Sequence, residues 1–358
     1  MSWDDEQGIC AHLESPRGET LLIELEPLNS QRPCWARTAH FNVNVRQKPA
    51  TQRPLSAEHV RVGEAFVRMV RIRERTLRMP EVRPTSGRQT EVTEVTASRM
   101  LVAEGAGRYY LNPYVGCMIG CRYCYVMDRA NLSRRLAGRP HHPWGRWVDV
   151  KVDVEATLAR EIAACEPGIV RLSPIITDPY MPLERHYRTT RRCLEMLLPA
   201  GFQVVILTRS GRVLDDLDLF EGFPGQVAIG LSIPSDDDAL RALFEPRADT
   251  IEARFEALAT LHEAGVNAFA VIQPMLPMNE ARLADQISPY VTTVRIDRMH
   301  DAERVADLYE RAAIPEATTD AFFRTTEARL RTELSRRGVR IDGLDDLSVL
   351  FDRTGPPG

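Results

Sequence analysis

Three cysteines in one eight-residue stretch, Cys117-Met118-Ile119-Gly120-Cys121-Arg122-Tyr123-Cys124, constrain this 358-residue chain more than any other feature. Zinc sites usually take two ligand pairs that close a four-coordinate shell, and no second pair accompanies this stretch. Three thiolates on a short loop instead suit three corners of a four-iron cluster, with the fourth iron left open to an exogenous ligand. Gly116 and Gly120 lie beside and within the stretch, where glycine admits positive φ and close backbone approach. The plain alternative is three core cysteines that happen to cluster; the spacing between glycines speaks against it.

The rest of the chain fits a globular protein. Its length allows two or three domains, 44% of its residues are hydrophobic and 27% charged, and no apolar run approaches the roughly 18 residues of a membrane span. The start Met1-Ser2-Trp3-Asp4-Asp5-Glu6 has neither a basic nor an apolar signal region, and seven cysteines, an odd number, suit a reducing compartment better than a disulfide framework. A cytoplasmic location is the expectation. Lys48 and Lys151 are the only lysines, for which genomic base composition is explanation enough.

From about residue 108 the pattern predicts strands alternating with helices. Arg108–Val115 reads as a strand before the cysteine loop and Val126–Leu136 as a helix after it. Strand patterns follow at 168–176, 202–208, 226–233, 266–273 and 291–296, with helical patterns at 188–199, 213–220 and 250–264, the last stopping at Gly265. Six such strand–helix steps favour parallel strands covered by helices, with a site at the C-terminal strand ends.

At the cysteines the chain resembles the radical SAM superfamily. The pattern CxxxCxφC, with Tyr123 as the aromatic φ, is similar to that superfamily's signature. The resemblance implies a partial (β/α)6 TIM-like barrel, a [4Fe–4S] cluster held by Cys117, Cys121 and Cys124, and S-adenosylmethionine (SAM) on the open iron. It also implies reductive cleavage of SAM to a 5′-deoxyadenosyl radical, with Tyr123 against the adenine and an electron donor such as a flavodoxin or ferredoxin as partner. Segments at strand ends resemble the spore photoproduct lyase-like branch: Thr177-Asp178-Pro179-Tyr180 with Glu184, Leu207-Thr208-Arg209-Ser210, Leu231-Ser232-Ile233, Glu245-Pro246-Arg247, and Gln273-Pro274 with the residues after it. By that resemblance Thr177, Asp178, Ser210, Ser232 and Gln273 are candidates to hydrogen-bond SAM. Arg209, where the branch usually has lysine, and Arg247 are candidates to pair with its carboxylate. Asp and Ser before a helix also serve as caps, and that reading stands beside the first.

The substrate is less legible. A net charge of −4 offers no basic footprint for nucleic acid. Segment 46–99 departs from this, with twelve Arg/Lys against six Glu, a net +6; Arg68, Arg71, Arg75 and Arg78 there read as the solvated face of an amphipathic helix. The lyase carries a cysteine just before the Asp-Pro of its segment, whereas this chain has Ile175 and Ile176. A small metabolite or natural-product intermediate is therefore the expected substrate. Lesion repair or modification of nucleic acid is an alternative, as is a non-catalytic iron–sulfur carrier or sensor. Arg191-Arg192-Cys193-Leu194-Glu195 resembles a segment of relatives that move the 3-amino-3-carboxypropyl group of SAM, which makes Cys193 a candidate thiolate for an acceptor such as As(III); a buried core cysteine is the competing reading. Cys165 is the other unassigned thiol near these segments.

The domain expectation is an N-terminal α+β accessory region at 1–95, a core at 96–300, and C-terminal helices at 301–358, about Ala302–Ala313 and Thr319–Arg337, before a frayed tail. In the first region 21–25 and 39–45 read as strands and 56–75 as a helix capped by Ser56. The loop Arg139–Trp147 gathers aromatics and a histidine pair that could line a substrate mouth.

Overall fold

The computed structural model describes residues 9–14, 20–27, 35–37, 41–48, 55–76, 90–105, 107–136, 139–140, 142–172, 176–341 and 344–351. They divide into two compact units, residues 1–88 with 128–143 and residues 89–127 with 144–358.

In the first unit strands β1 (Ile9–Glu14), β2 (Thr20–Pro27), β3 (Ala36–Arg37) and β4 (Phe41–Lys48) form an antiparallel sheet in the order β1-β2-β4-β3, followed by helix α1 (Ala57–Thr76). Leu21 and Ile23 of β2 and Val43 and Val45 of β4 alternate along their strands, and they bury against Phe66, Val67 and Val70 of α1. The strand period of two thus meets a helical stripe. Gly63 permits the contact: a Cβ there would lie 3.0 Å from the Trp35 ring and 3.1 Å from Val45. The Ser56 hydroxyl accepts the His59 N–H at 3.2 Å and caps α1. Residues 39–40 and Arg78 lie outside the described residues, as do the side chains of Arg68, Arg71 and Arg75.

The second unit carries β5 (Glu91–Thr96), β6 (Leu101–Gly105), β7 (Arg108–Leu111) and β8 (Tyr114–Val115), then the cysteine loop; the helix that follows, α2 (Val126–Leu136), counts with the first unit from Asp128 on. After these come β9 (Trp147–Val152), α3 (Val154–Ala163), β10 (Ile169–Leu172), α4 (Glu184–Tyr187), α5 (Thr189–Leu197), β11 (Gln203–Thr208), α6 (Leu217–Gly222) and β12 (Val227–Ser232). The chain continues through α7 (Asp238–Phe244), α8 (Ile251–Glu263), β13 (Asn267–Ile272), α9 (Glu280–Ile287), β14 (Thr293–Ile296), α10 (Ala306–Arg311), α11 (Asp320–Arg336) and β15 (Arg340–Ile341). The main sheet runs β15-β14-β13-β12-β11-β10-β7-β6, parallel except for β6 at its edge. This is the partial barrel, with the six predicted strands consecutive within it.

Period-two alternation sorts the strands into two faces. Val170, Leu172, Val204, Ile206, Ile229, Leu231, Ala270 and Ile272 join helix residues such as Leu158, Leu194, Leu258 and Leu283 in the main core. Their neighbours Val205, Ala228, Phe269 and Val271 point to the other, inner face, where Leu350 and residues 344–351 pack against them. Among the described residues no helix is long and apolar enough to cross a membrane.

Two expectations need correction. The segment 108–115 is two strands in two sheets, since β8 pairs antiparallel with β9 in a separate β5-β9-β8 sheet. Pro113, which has no N–H to give to a ladder, stands at the break. The segment 213–220 is a 3-10 turn over Gly211–Asp216 followed by the short α6; the Ser210 hydroxyl accepts the Arg212 N–H at 3.2 Å and tightens the start. Residues 173–175, including Ile175, lie outside the described residues.

Candidate active site

The cysteine loop occupies the turn between β8 and α2. Cys117 and Cys121 are buried and Cys124 is half-buried. Cys124 N–H donates to the Cys121 carbonyl at 3.3 Å, and Met127 N–H donates to that of Cys124 at 3.2 Å, so the loop curls into the helix start. Gly116 has φ +87°, and a Cβ there would lie 2.7 Å from the Trp147 carbonyl oxygen and 2.8 Å from its ring. Gly120 and Gly145, at φ +63° and +82°, face each other across the Arg247 guanidinium. Arg247 Nε donates to the Met118 carbonyl at 2.5 Å and Nη2 to that of Gly145 at 2.6 Å. Arg247, a candidate partner for a SAM carboxylate, thus staples the loop to the turn before β9. A side chain on Gly145 would occupy the place of its guanidinium.

Burial dominates the electrostatics of the thiols. It pushes Cys117 up to about 12, with Asp178 and Cys124 adding to the effect, while the N–H groups of Ile119 and Asp178 point at the sulfur and oppose it. Cys121 is held well above the ordinary thiol range by burial, which the Arg209 charge only partly offsets. Cys124 is raised by burial against the N–H groups of Val126 and Met127 at the start of α2. Three thiols that resist ionisation alone, with N–H donors on two of them, suit a cationic iron centre that replaces their protons.

Behind the loop stands a charged network. Tyr123 Oη donates to Glu245 Oε1, which also accepts Arg209 Nε at 2.9 Å. Glu245 Oε2 takes Arg254 Nη2, and Arg254 also donates to the Ser232 carbonyl at 2.5 Å and to the Asp249 carbonyl at 3.2 and 3.0 Å. Glu245 and Arg254 are both fully buried. Burial alone would raise the Glu245 carboxyl; Arg254 and Arg209 outweigh it and hold the group below the usual range. The Arg209 guanidinium also lies 5.9 Å from the centre of the Tyr123 ring, within reach of a cation–π contact. Tyr123 is thereby fixed beside the cysteines by two charged neighbours.

The other strand-end candidates have their own partners. Asp178 Oδ1 accepts Thr208 Oγ1 at 2.6 Å and Tyr180 N–H at 2.9 Å, and Oδ2 accepts Arg209 N–H at 2.9 Å. Thr177 Oγ1 contacts the Asp178 carbonyl at 3.4 Å. Ser210 Oγ donates to Asp249 Oδ2 at 2.7 Å. Ser232 Oγ donates to the Gln273 carbonyl at 3.4 Å, and Gln273 Nε2 donates to Asp297 Oδ2 at 3.0 Å. Glu184 Oε2 accepts Tyr114 Oη and Thr190 N–H, the latter at 3.1 Å, and Oε1 accepts Arg191 N–H at 3.1 Å. Asp178 thus holds the end of β11 to its own loop, and Glu184 ties β8 to the start of α5.

Cys193 is fully buried with Leu194 and Leu197 in the main core, where burial raises its thiol; it does not join the cysteine-loop cluster. Cys165 sits half-buried, its thiol 3.9 Å from the Ile162 carbonyl, and Ile176 is buried. Sequence reasoning passed over Arg254, which looks like an ordinary residue of α8. Trp144, read from the sequence only as one aromatic of the Arg139–Trp147 loop, packs on the cysteine loop and meets Trp147 edge to face at 6.2 Å between ring centroids. Glu245 was visible only as part of a block.

Among the described residues, no three His, Cys, Asp or Glu side chains gather as ligands of a single metal ion. A four-iron cluster asks for something different, one thiolate per iron at separate corners, and that is what three cysteines spaced along one curled loop offer.

Comparison with known proteins agrees with the geometry. An uncharacterised protein of Methanocaldococcus jannaschii is 31% identical over 170 residues, 48% of this chain and 61% of that protein. A radical SAM Nα-GlyT isomerase of Pseudomonas phage M6 is 22% identical over 46% of this chain and 32% of its own length. The chain thus spans less than two thirds of these curated relatives. A spore photoproduct lyase variant, solved with bound AdoMet and dinucleoside spore photoproduct, superposes with a TM-score of 0.51 at 14% identity, over 70% of this chain and 81% of that one. Residues 111–287, from the end of β7 through the cysteine loop to α9, match the Radical SAM superfamily, so the chain carries a radical SAM domain.

Proposed function

We propose that this protein is a radical SAM enzyme whose cluster sits on Cys117, Cys121 and Cys124 and whose substrate is a small molecule taken on the inner face of the barrel. Members of the superfamily use a [4Fe–4S] cluster and SAM, and together these supply a one-electron reductive cleavage of SAM that yields a group able to take a hydrogen atom from substrate. A one-electron donor such as a flavodoxin or ferredoxin completes the requirement.

The observation that carries the reading is the cysteine loop itself: three thiols at CxxxCxφC spacing, stapled by Arg247 and closed by glycines that admit no side chain. The chain's own residues hold and orient. Arg209, Glu245 and Arg254 fix Tyr123 beside the cysteines as a wall for the adenine. Asp178 holds the end of β11, and Glu184 joins β8 to the start of α5. The net charge of −4 favours a small substrate over nucleic acid. The buried, protonated Cys193 does not support a thiolate that receives an aminocarboxypropyl acceptor.

Anaerobic reconstitution tests this reading. Iron and sulfide analysis should give about four of each per chain, and the count should fall sharply in Cys121→Ala. Reduced protein with SAM should release 5′-deoxyadenosine. Methylthioadenosine as the main product would point to aminocarboxypropyl transfer, and a full cluster with no SAM turnover would point to an electron carrier.

A further inference from the structure

One polar atom beside the cysteine loop is left without a partner. The Nε1–H of Trp144 is shielded from solvent, and it has no hydrogen bond among the described residues. A buried indole N–H ordinarily finds an acceptor, and leaving it unpaired is costly. The ring packs on the cluster of Cys117, Ile119 and Cys121, so the unpaired donor belongs to a side chain that touches the cysteine loop.

Its neighbours fix its place. A Cβ on Gly145, the next residue, would lie 2.8 Å from the Gly120 Cα, so the backbone of this turn runs against the loop at close range. Arg247 joins the two through the Met118 and Gly145 carbonyls. The Trp144 ring also meets Trp147 at 78° between planes, and Trp147 is itself fully buried. An indole packed on a buried tryptophan and on a stapled loop has little freedom to turn its N–H outward.

The loop's own acceptors are engaged elsewhere. Arg247 takes the carbonyls of Met118 and Gly145, Cys124 N–H takes that of Cys121, and Met127 N–H takes that of Cys124. None of the three thiols is a partner of the indole either. A four-iron cluster on those thiolates brings a further set of acceptors to the loop, its inorganic sulfides.

We propose that Trp144 is a potential-setting residue whose Nε1–H donates to an inorganic sulfide of the cluster and stabilises the cluster's reduced form. One-electron reduction adds one negative charge to the iron and sulfur atoms. A donor N–H therefore holds the reduced cluster more strongly than the oxidised one and raises its potential, which eases delivery of the electron by a flavodoxin-type or ferredoxin-type donor. The proposal rests on the radical SAM reading, which supplies the cluster. Trp144 comes from the turn before β9 and not from the strand ends that carry Thr177, Ser210, Ser232 and Gln273, so its effect is present with SAM absent.

Trp144→Phe keeps an aromatic ring and removes the N–H. A second variant with benzothienylalanine at position 144 keeps the outline of the indole and puts sulfur where the N–H was. Wild type and both variants are reconstituted anaerobically, their iron and sulfide counted, and their clusters titrated with a reductant under electron paramagnetic resonance, without SAM. At a fixed potential the ratio of reduced to oxidised cluster should fall roughly threefold or more in both variants, a lowering of about 30 mV or more for one electron, with iron content unchanged. The sign separates this from a packing effect, since a gap that admits water brings new donors and raises the potential. The benzothienyl variant decides wherever the two differ or Trp144→Phe loses its iron. In it a smaller shift or a rise overturns the proposal, and so does loss of iron, which would make the ring a packing residue only. A wild type that assembles no four-iron cluster sinks the radical SAM reading together with the proposal, whereas intact clusters of equal potential sink the proposal alone.

Discussion

Arg254 has no exposed surface, yet it carries a full charge that Glu245 and two backbone carbonyls must satisfy. Removing one member of a buried ion pair strands the other, at about 3–5 kcal/mol. Arg254→Gln should lose stability of that order in denaturant unfolding. It should also loosen Tyr123, whose hydroxyl depends on the same carboxylate, so SAM affinity should fall even where the cluster assembles. Glycine gives a second residue-scale expectation. Gly145→Ala should reduce the iron content of reconstituted protein, since its Cβ would displace the Arg247 guanidinium. Gly225→Ala, also at positive φ with nothing within 4 Å, should cost only about 1–3 kcal/mol of backbone strain and keep its iron. At this scale the sequence was legible where spacing carried the signal, as in the three cysteines, Gly116 and Gly120. It was silent on Arg254, because nothing in a helix sequence shows that an arginine faces a buried carboxylate from a distant block.

Helix α5 shows how one carboxylate sets the behaviour of an element. Glu184 accepts the first N–H groups of α5 from Thr190 and Arg191 together with the Tyr114 hydroxyl, and burial pushes it up to about 7 against those hydrogen bonds. A carboxyl raised on folding binds its proton more tightly in the folded state, so its contribution is fully present below 4.5 and lost as pH rises through about 7. Wild-type stability should decline across that window, and Glu184→Gln should flatten the decline in unfolding titrations between pH 4.5 and 7. Most elements were legible from period alone. The 250–264 helix begins where Thr250 caps it and stops at Gly265, which has φ +69°. The strand pair β5 and β9 was not, because Glu91–Thr96 alternates exposed with half-buried positions and its partner lies some fifty residues on, across the cysteine loop. The single strand expected at 108–115 failed at Pro113, where the chain changes sheets.

In the second unit the C-terminal segment packs on the inner face of the main sheet. Leu344, Leu347, Val349, Leu350 and Phe351 gather on Val205, Ala228, Phe269 and Val271, and Arg108 Nη1 holds the Asp345 carbonyl at 3.2 Å. Leu350→Ala should cost about 2–5 kcal/mol, read by chemical denaturation. The apolar residues 347–351 were visible in the sequence, but not what they cover, since only the assembled sheet brings residues of β11, β12 and β13 to one patch. The fold class was legible because six strand–helix steps leave few alternatives, and the site was legible because the cysteine loop is local. The inner face, where substrate chemistry is decided, is assembled from rows of single residues on separate strands and leaves no local pattern. The most direct test of the whole reading is anaerobic: reconstituted protein with a full [4Fe–4S] complement, a one-electron reductant and SAM. The account predicts release of 5′-deoxyadenosine that disappears in Cys121→Ala; intact SAM over a full, reduced cluster would contradict it.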